Sequence, residues 1–151
     1  MALNILQAHK KAFLDLLDAD NVPPALVVLD GQVPRDPLTG LPSVPPPYVL
    51  LYMGFRTPSG AEEPEKVSFE AASDVLYAIG TFHSVGGNPH ASLAVAGRVR
   101  AALRGIQPVI AGRGECSRIG HADWAPTSRD ETTGTPVFDT VDVWQFFSLP
   151  S

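Results

Sequence analysis

The chain has 151 residues, a formal net charge of −5, and 44% hydrophobic against 18% charged residues. That length fits one domain with a core that needs no staples, and the balance excludes wholesale disorder. The acidic surface lacks the basic patch that gripping nucleic acid needs, no apolar run approaches the ~20 residues of a membrane span, and a single cysteine, Cys116, excludes an intrachain disulfide and a cysteine-based zinc cluster.

The opening MALNILQAHKKAFLDLLDAD lacks the basic start and apolar block of a secretion signal. Within it, residues 3–18 predict a helix. Leu3, Leu6, Phe13 and Leu17 recur on one side, Leu14 lies at the margin, and Lys10 snorkels from within the stripe. Asn21-Val22-Pro23-Pro24 stops it. Residues 26–30, LVVLD, read as a short strand turned by Gly31. Then six prolines occur in the fourteen positions 34–47. Proline suits neither helix interiors nor central strands, so this is a long connection. It is either an arm that binds something or a stiff surface loop without a partner.

Residues 48–55, YVLLYMGF, predict a strong strand, and 56–66 a second polar loop. Residues 74–83 predict another strand, with Val75, Tyr77 and Ile79 on one face and Leu76, Ala78, Gly80 and Phe82 on the other. Both faces are apolar, so both need cover, and the small Ala78 and Gly80 let a helix approach closely. Asn88 is a good N-cap and Pro89 a good first helical residue. The helix they start runs to Arg104 and stops at Gly105. Ala91, Val95, Val99, Ala102 and Leu103 line its buried side, while Arg100 and Arg104 point away. Residues 107–111, QPVIA, read as a short strand. Residues 115–124 and 136–147 read as a long β-hairpin with the polar tip APTSRDETTGT. Its second arm carries Val137, Val141 and Val143 on one face and Phe138, Trp144 and Phe146 on the other.

The resulting order, α-β-β-β-α-β-β-β, predicts a single α+β domain over 1–151. It has one mixed, mainly antiparallel β-sheet, two α-helices and a long C-terminal β-hairpin. Two helices cover one face of such a sheet. A partner subunit, or the 34–47 loop folded back, must cover the other.

The chemical motifs are sparse. A zinc site wants three convergent ligands; His83, His90 and His121 are the candidates, but no HExxH-type spacing joins them. Gly86-Gly87-Asn88 precedes a helix, yet no P-loop lysine follows and GxGxxG is absent, so the glycines serve the turn. Gly112-Arg113-Gly114 is likewise a loop. No G-x-S-x-G elbow occurs, and Cys116 has no local base, which predicts a buried inert thiol. Glu62, Glu63, Glu65, Asp130 and Glu131 lie in polar loops as solvated charges. We therefore expect no catalytic residue, cofactor or metal, and no enzyme activity.

The order strand, glycine turn, helix and hairpin, written here as DVLYAIGTFHSVGGNPHASLAVAGRVRAALRG, PVIAGRGECSRIGHADWAPTSRDE and PVFDTVDVWQFF, resembles the tail terminator (tail completion, minor tail protein) family of long-tailed bacteriophages. SVGGN leading into AGRVRAAL, and RDE before PVF and VDVW, carry most of the likeness, which runs from about Asp74 to Phe147. The first helix and the YVLLY strand match more weakly. The resemblance implies a structural protein of the virion neck, made in the bacterial host cytoplasm. Such a protein forms a homo-hexameric ring, in some cases only on docking. It caps the tail tube, stops tube polymerisation and presents a head-docking surface. Its partners would be itself, the tail tube protein and a head–tail connector or stopper, with DNA passing unbound through the bore and no membrane involved. On that reading the interface candidates are Arg100, Arg104, Arg129, Asp130, Glu131 and Trp144. A connector or stopper is the alternative, and a small metal- or ligand-binding domain using the three histidines is a more distant one.

Overall fold

Two helices lie against one face of a five-stranded sheet in the computed structural model, which describes residues 4–20, 23–56, 75–132 and 134–151. The elements are α1 (Ile5–Asp18), β1 (Val28–Asp30), β2 (Tyr48–Arg56), β3 (Leu76–Gly86), α2 (Pro89–Leu103), β4 (Gly120–Asp130) and β5 (Val137–Ser148). The sheet runs β1-β2-β3-β5-β4; β1 pairs parallel with β2 and every other pair is antiparallel. The expected α+β class, with its mixed, mainly antiparallel sheet and C-terminal hairpin, is what forms. Leu3 and the polar loop 57–66 lie outside the described residues.

Both helices start where a side chain caps them. Asn4 Oδ1 accepts from Gln7 N at 2.8 Å and Gln7 returns the bond, while Asn88 Oδ1 accepts from Ala91 N at 2.8 Å with Pro89 following. On α1 the buried residues are His9, Phe13 and Leu17. On α2 they are Ser92, Val95, Val99 and Leu103, with Ala91 and Ala102 only half-buried.

Alternation along β3 divides the sheet. Leu76, Ala78, Gly80, Phe82 and Ser84 face the helices and are buried, in register with Val49, Leu51 and Phe55 of β2 and with Thr140, Trp144 and Phe146 of β5. Phe13, Leu17, Val95, Val99, Leu103, Ile110 and Ile119 close this core. Gly86 ends β3 where α2 begins. A Cβ there would lie 2.4 Å from Ser92 N, so glycine is required by space rather than by backbone angle. Ser92 Oγ donates to Ser84 O at 2.7 Å and bonds Thr140 Oγ1 at 2.8 Å, locking the helix to two strands.

A second buried polar chain ties α1 to the end of β5. Arg113 Nε donates to Ser148 Oγ at 2.9 Å, Ser148 Oγ lies 2.8 Å from His9 Nε2, and His9 Nδ1 lies 2.6 Å from Ile5 O. Arginine only donates and a carbonyl only accepts. The carbonyl requires a proton on His9 Nδ1, and the neutral ring then accepts the Ser148 hydroxyl proton at Nε2. Burial, then the Arg113 charge, pulls the His9 pKa down, against the opposing Ile5 bond.

Three expectations are corrected. Residues 107–111 form no strand. Pro108 has no N–H to give, Val109 is 93% exposed, and the chain is tied down just before them by Gly105 N to Ile119 O (3.0 Å) and Ile119 N to Ile106 O (2.7 Å). The first hairpin arm starts at Gly120, not 115, and runs to Asp130, taking up most of the supposed tip. It is an edge strand, so it needs no apolar alternation, and bulges between His121 and Asp123 and between Ala125 and Ser128 accommodate its polar run and Pro126. The strand predicted over 26–30 covers only Val28–Asp30.

The face away from the helices is covered in part. Val33 and Val44, flanking the proline-rich segment, pack on Tyr48, Leu50, Val85 and Val137, so that segment folds back over one end of the sheet. Toward the other end Tyr77, Ile79, Val141, Val143 and Phe147 are only half-buried and Tyr52 is exposed.

Candidate assembly surfaces

The three histidines do not converge. His83 pairs across from Val141 on the open face, whereas His121 pairs across from Trp144 on the helix face, so the sheet separates them. His90 is exposed in the first turn of α2. Each strand histidine has its own carboxylate: His83 Nδ1 lies 2.7 Å from Asp139 Oδ2, and His121 Nε2 lies 2.7 Å from Asp142 Oδ1. The His83–Asp139 pair borders a cavity of about 590 Å³ between the proline-rich segment and the open face. Its lining includes Tyr48, Tyr52, Arg35 and Asp130 and, among the described residues, no serine or cysteine, and the Thr132 hydroxyl is held at 2.6 Å by Asp130. Burial, then the nearby Asp139 and Asp130 carboxylates, pushes the Tyr48 phenol up and keeps it protonated. Cys116 is buried, and burial raises its pKa, which matches an inert thiol.

The candidate interface residues fall in two places. Arg100 and Arg104 are exposed on and just after α2, as expected. Arg129 and Glu131 are exposed at the hairpin tip and paired to each other at 2.8 Å. Asp130 accepts from Thr132 N and Oγ1, which holds its carboxyl below the usual range. Trp144 is a correction. It is 1% exposed in the core, because even-numbered β5 residues face the helices. The tryptophan that reaches solvent is Trp124 on β4, at 64%. The sequence places Trp124 in the first hairpin arm, but only the strand's edge position shows that its side chain reaches solvent.

Trp124 borders a groove of about 420 Å³ on the helix side, shared by α2, β4 and β5. Leu93, Ala96 and Gly97 form the α2 wall, Arg100 sits at the rim, and His121 and Trp144 lie on the floor with ring centroids 4.6 Å apart. Leu93 is 56% exposed. An exposed leucine and tryptophan flanking a concavity make an apolar patch of the kind that binds protein. The half-covered face with Tyr52, Tyr77, Ile79, Val141, Val143 and Phe147 is a second and different patch, on the opposite side of the sheet. Among the described residues no His, Cys, Asp or Glu cluster has metal-binding geometry, and no helix is long and apolar enough to cross a membrane.

No protein-family model and no curated protein matches the sequence. Among solved structures, a chain of "Virion of native gene transfer agent (GTA) particle" is similar over 97% of this chain and 98% of that one, with a TM-score of 0.64 and 20% identity. At that identity the likeness is one of fold, and it spans the whole domain.

Proposed function

We propose that the chain is a structural subunit of a phage-like particle, and specifically a tail terminator. It would cap the completed tail tube as a ring, stop further polymerisation and offer the surface to which the head docks. The observation that carries this is the end-to-end likeness in fold to a chain of a gene transfer agent virion. The sequence resemblance to tail terminators points the same way. So does the surface: two unlike apolar patches on opposite sides of one sheet suit a closed ring, in which one patch meets a different patch on the next subunit. His83 and His121 are each paired to a carboxylate on opposite faces of the sheet rather than gathered in one centre, which suits a protein that works by assembly rather than catalysis.

In this reading Arg100, Arg104 and Trp124 lie at the subunit contact, and the hairpin tip with Arg129, Asp130 and Glu131 meets an axial neighbour. One ring face mates with the last tube ring and the other is unlike it, so no further tube subunit adds. A net charge of −5 suits a bore that passes DNA without holding it. The test is to trap complexes on assembled particles with the tagged full chain and identify what co-purifies. The tail tube protein supports a terminator. Capture of portal and head proteins without tube protein favours a connector or stopper instead.

A further inference from the structure

The proline-rich segment is an ordered arm. Asp36 N donates to Leu41 O, Gly40 N to Asp36 O, and Leu38 N to Asp36 Oδ1, each at 2.8 Å; Arg35 donates to Gly40 O at the same distance. Ser43 N closes the base on Pro34 O at 2.8 Å, and Val33 and Val44 fasten that base to the sheet. All of this order holds Leu38 at the turn, 93% exposed, beside Leu41 at 47%. Fixing a loop so as to hold a leucine side chain in water costs entropy that burial of that side chain does not offset.

The groove between α2 and β4 is the matching concavity. It is flanked by Leu93 and Trp124, and at about 420 Å³ it suits an anchoring side chain with its flanking turn rather than a whole element. The arm rests on the open face and the groove lies on the helix face, so the sheet stands between them and they meet only across two copies. Charge chooses the occupant. Arg100 at the groove rim has no acidic partner among the described residues, and Asp36 beside Leu38 has no cationic one. A second exposed apolar projection among the described residues, Ile106 to Val109, carries Gln107 and Pro108 and no carboxylate.

We propose that the Leu38 arm of one copy docks in the α2/β4 groove of a second copy, with Asp36 facing Arg100. This deepens the ring reading and rests on it, since arm and groove are unlike patches, as a head-to-tail contact requires.

The test uses tails purified from a producing strain that carries the full chain with Leu38→Cys, Leu93→Cys, or both. Cys116 is buried and contributes little background. Oxidation is expected to give a covalent ladder for the double variant and monomer for each single variant. Length-controlled tails that contain the double variant yet yield only monomer overturn the arm contact and leave the ring reading standing. Absence of the protein from tails removes both. A charge swap gives an independent readout. Asp36→Arg and Arg100→Asp alone should each lower retention on tails, and the pair together should restore it. An Asp36→Arg defect that Arg100→Asp does not relieve overturns the assignment. Leu38→Asp should cost roughly ten- to a hundredfold in retention, as loss of an anchoring leucine does, while the purified protein keeps its wild-type thermal midpoint.

Discussion

Adding one methyl group at Gly86 tests how the core holds α2. Neither Gly86 nor Gly87 has a positive φ, so alanine suits both backbones. Their surroundings differ. At Gly86 a Cβ would lie 2.4 Å from Ser92 N, 2.7 Å from the Ala91 carbonyl carbon and 2.9 Å from Ala91 Cβ, and these are mostly backbone atoms of a helix that cannot rotate aside. At Gly87 nothing lies within 4 Å. Relieving the clash means lifting the first turn of α2 away from β3. That loosens the Ser92 bonds to Ser84 and Thr140. Overpacking costs about 1–3 kcal/mol, and each weakened hydrogen bond adds about 1 kcal/mol. That totals about 3–5 kcal/mol, and for a domain of this size 1 kcal/mol moves the midpoint by roughly 2–4 °C, so Gly86→Ala should melt roughly 6–20 °C below wild type. Gly87→Ala should melt at or slightly above wild type, because alanine restricts the unfolded chain. Thermal and urea unfolding followed by circular dichroism reads both. Equal midpoints for Gly86→Ala and wild type would show that α2 does not sit on β3 as described.

Three further predictions follow from buried groups. His9 has a lowered pKa, so the unfolded chain binds its proton more readily than the folded one, and stability should fall as pH drops below about 6.5. In His9→Asn that contribution should be lost, so the wild-type series minus the variant series should keep a slope between pH 7 and 5; a flat difference would place the titration elsewhere. Trp144→Ala should destabilise by about 3–5 kcal/mol, whereas Trp124→Ala should shift stability by less than about 0.5 kcal/mol while weakening assembly. The reverse ranking in urea titrations would contradict the face assignment on β4 and β5. Cys116 should resist a thiol reagent in native protein and react at once in 6 M guanidinium, and rapid native labelling would place it at the surface.

Apolar spacing and cap chemistry made most of the fold legible. Asn88-Pro89 and the two-sided β3 strand announced their elements because local rules and tertiary packing agree there. The second half of the β4 edge strand escaped because a strand paired on one side only needs no alternation, so Pro126 and Arg129 read as part of a loop. Register with β5 decides that Trp144 points inward and leaves Trp124 exposed on the edge strand, and register is a tertiary fact. His9 and Arg113 were missed for another reason. Each looks like an ordinary surface residue until Ser148, from the far end of the chain, is placed between them. The arm was half legible: its prolines marked a long connection, but only the folded chain reveals that its base covers one end of the sheet and its tip presents Leu38.

The central claim is that this subunit ends a tail, and its most direct test is electron microscopy of negatively stained tails from a producing strain in which the gene is disrupted. The account predicts tails of uncontrolled length that do not join heads, with normal length and joining restored by the wild-type gene in trans. Intact, normal-length, joined particles from the disrupted strain would contradict it.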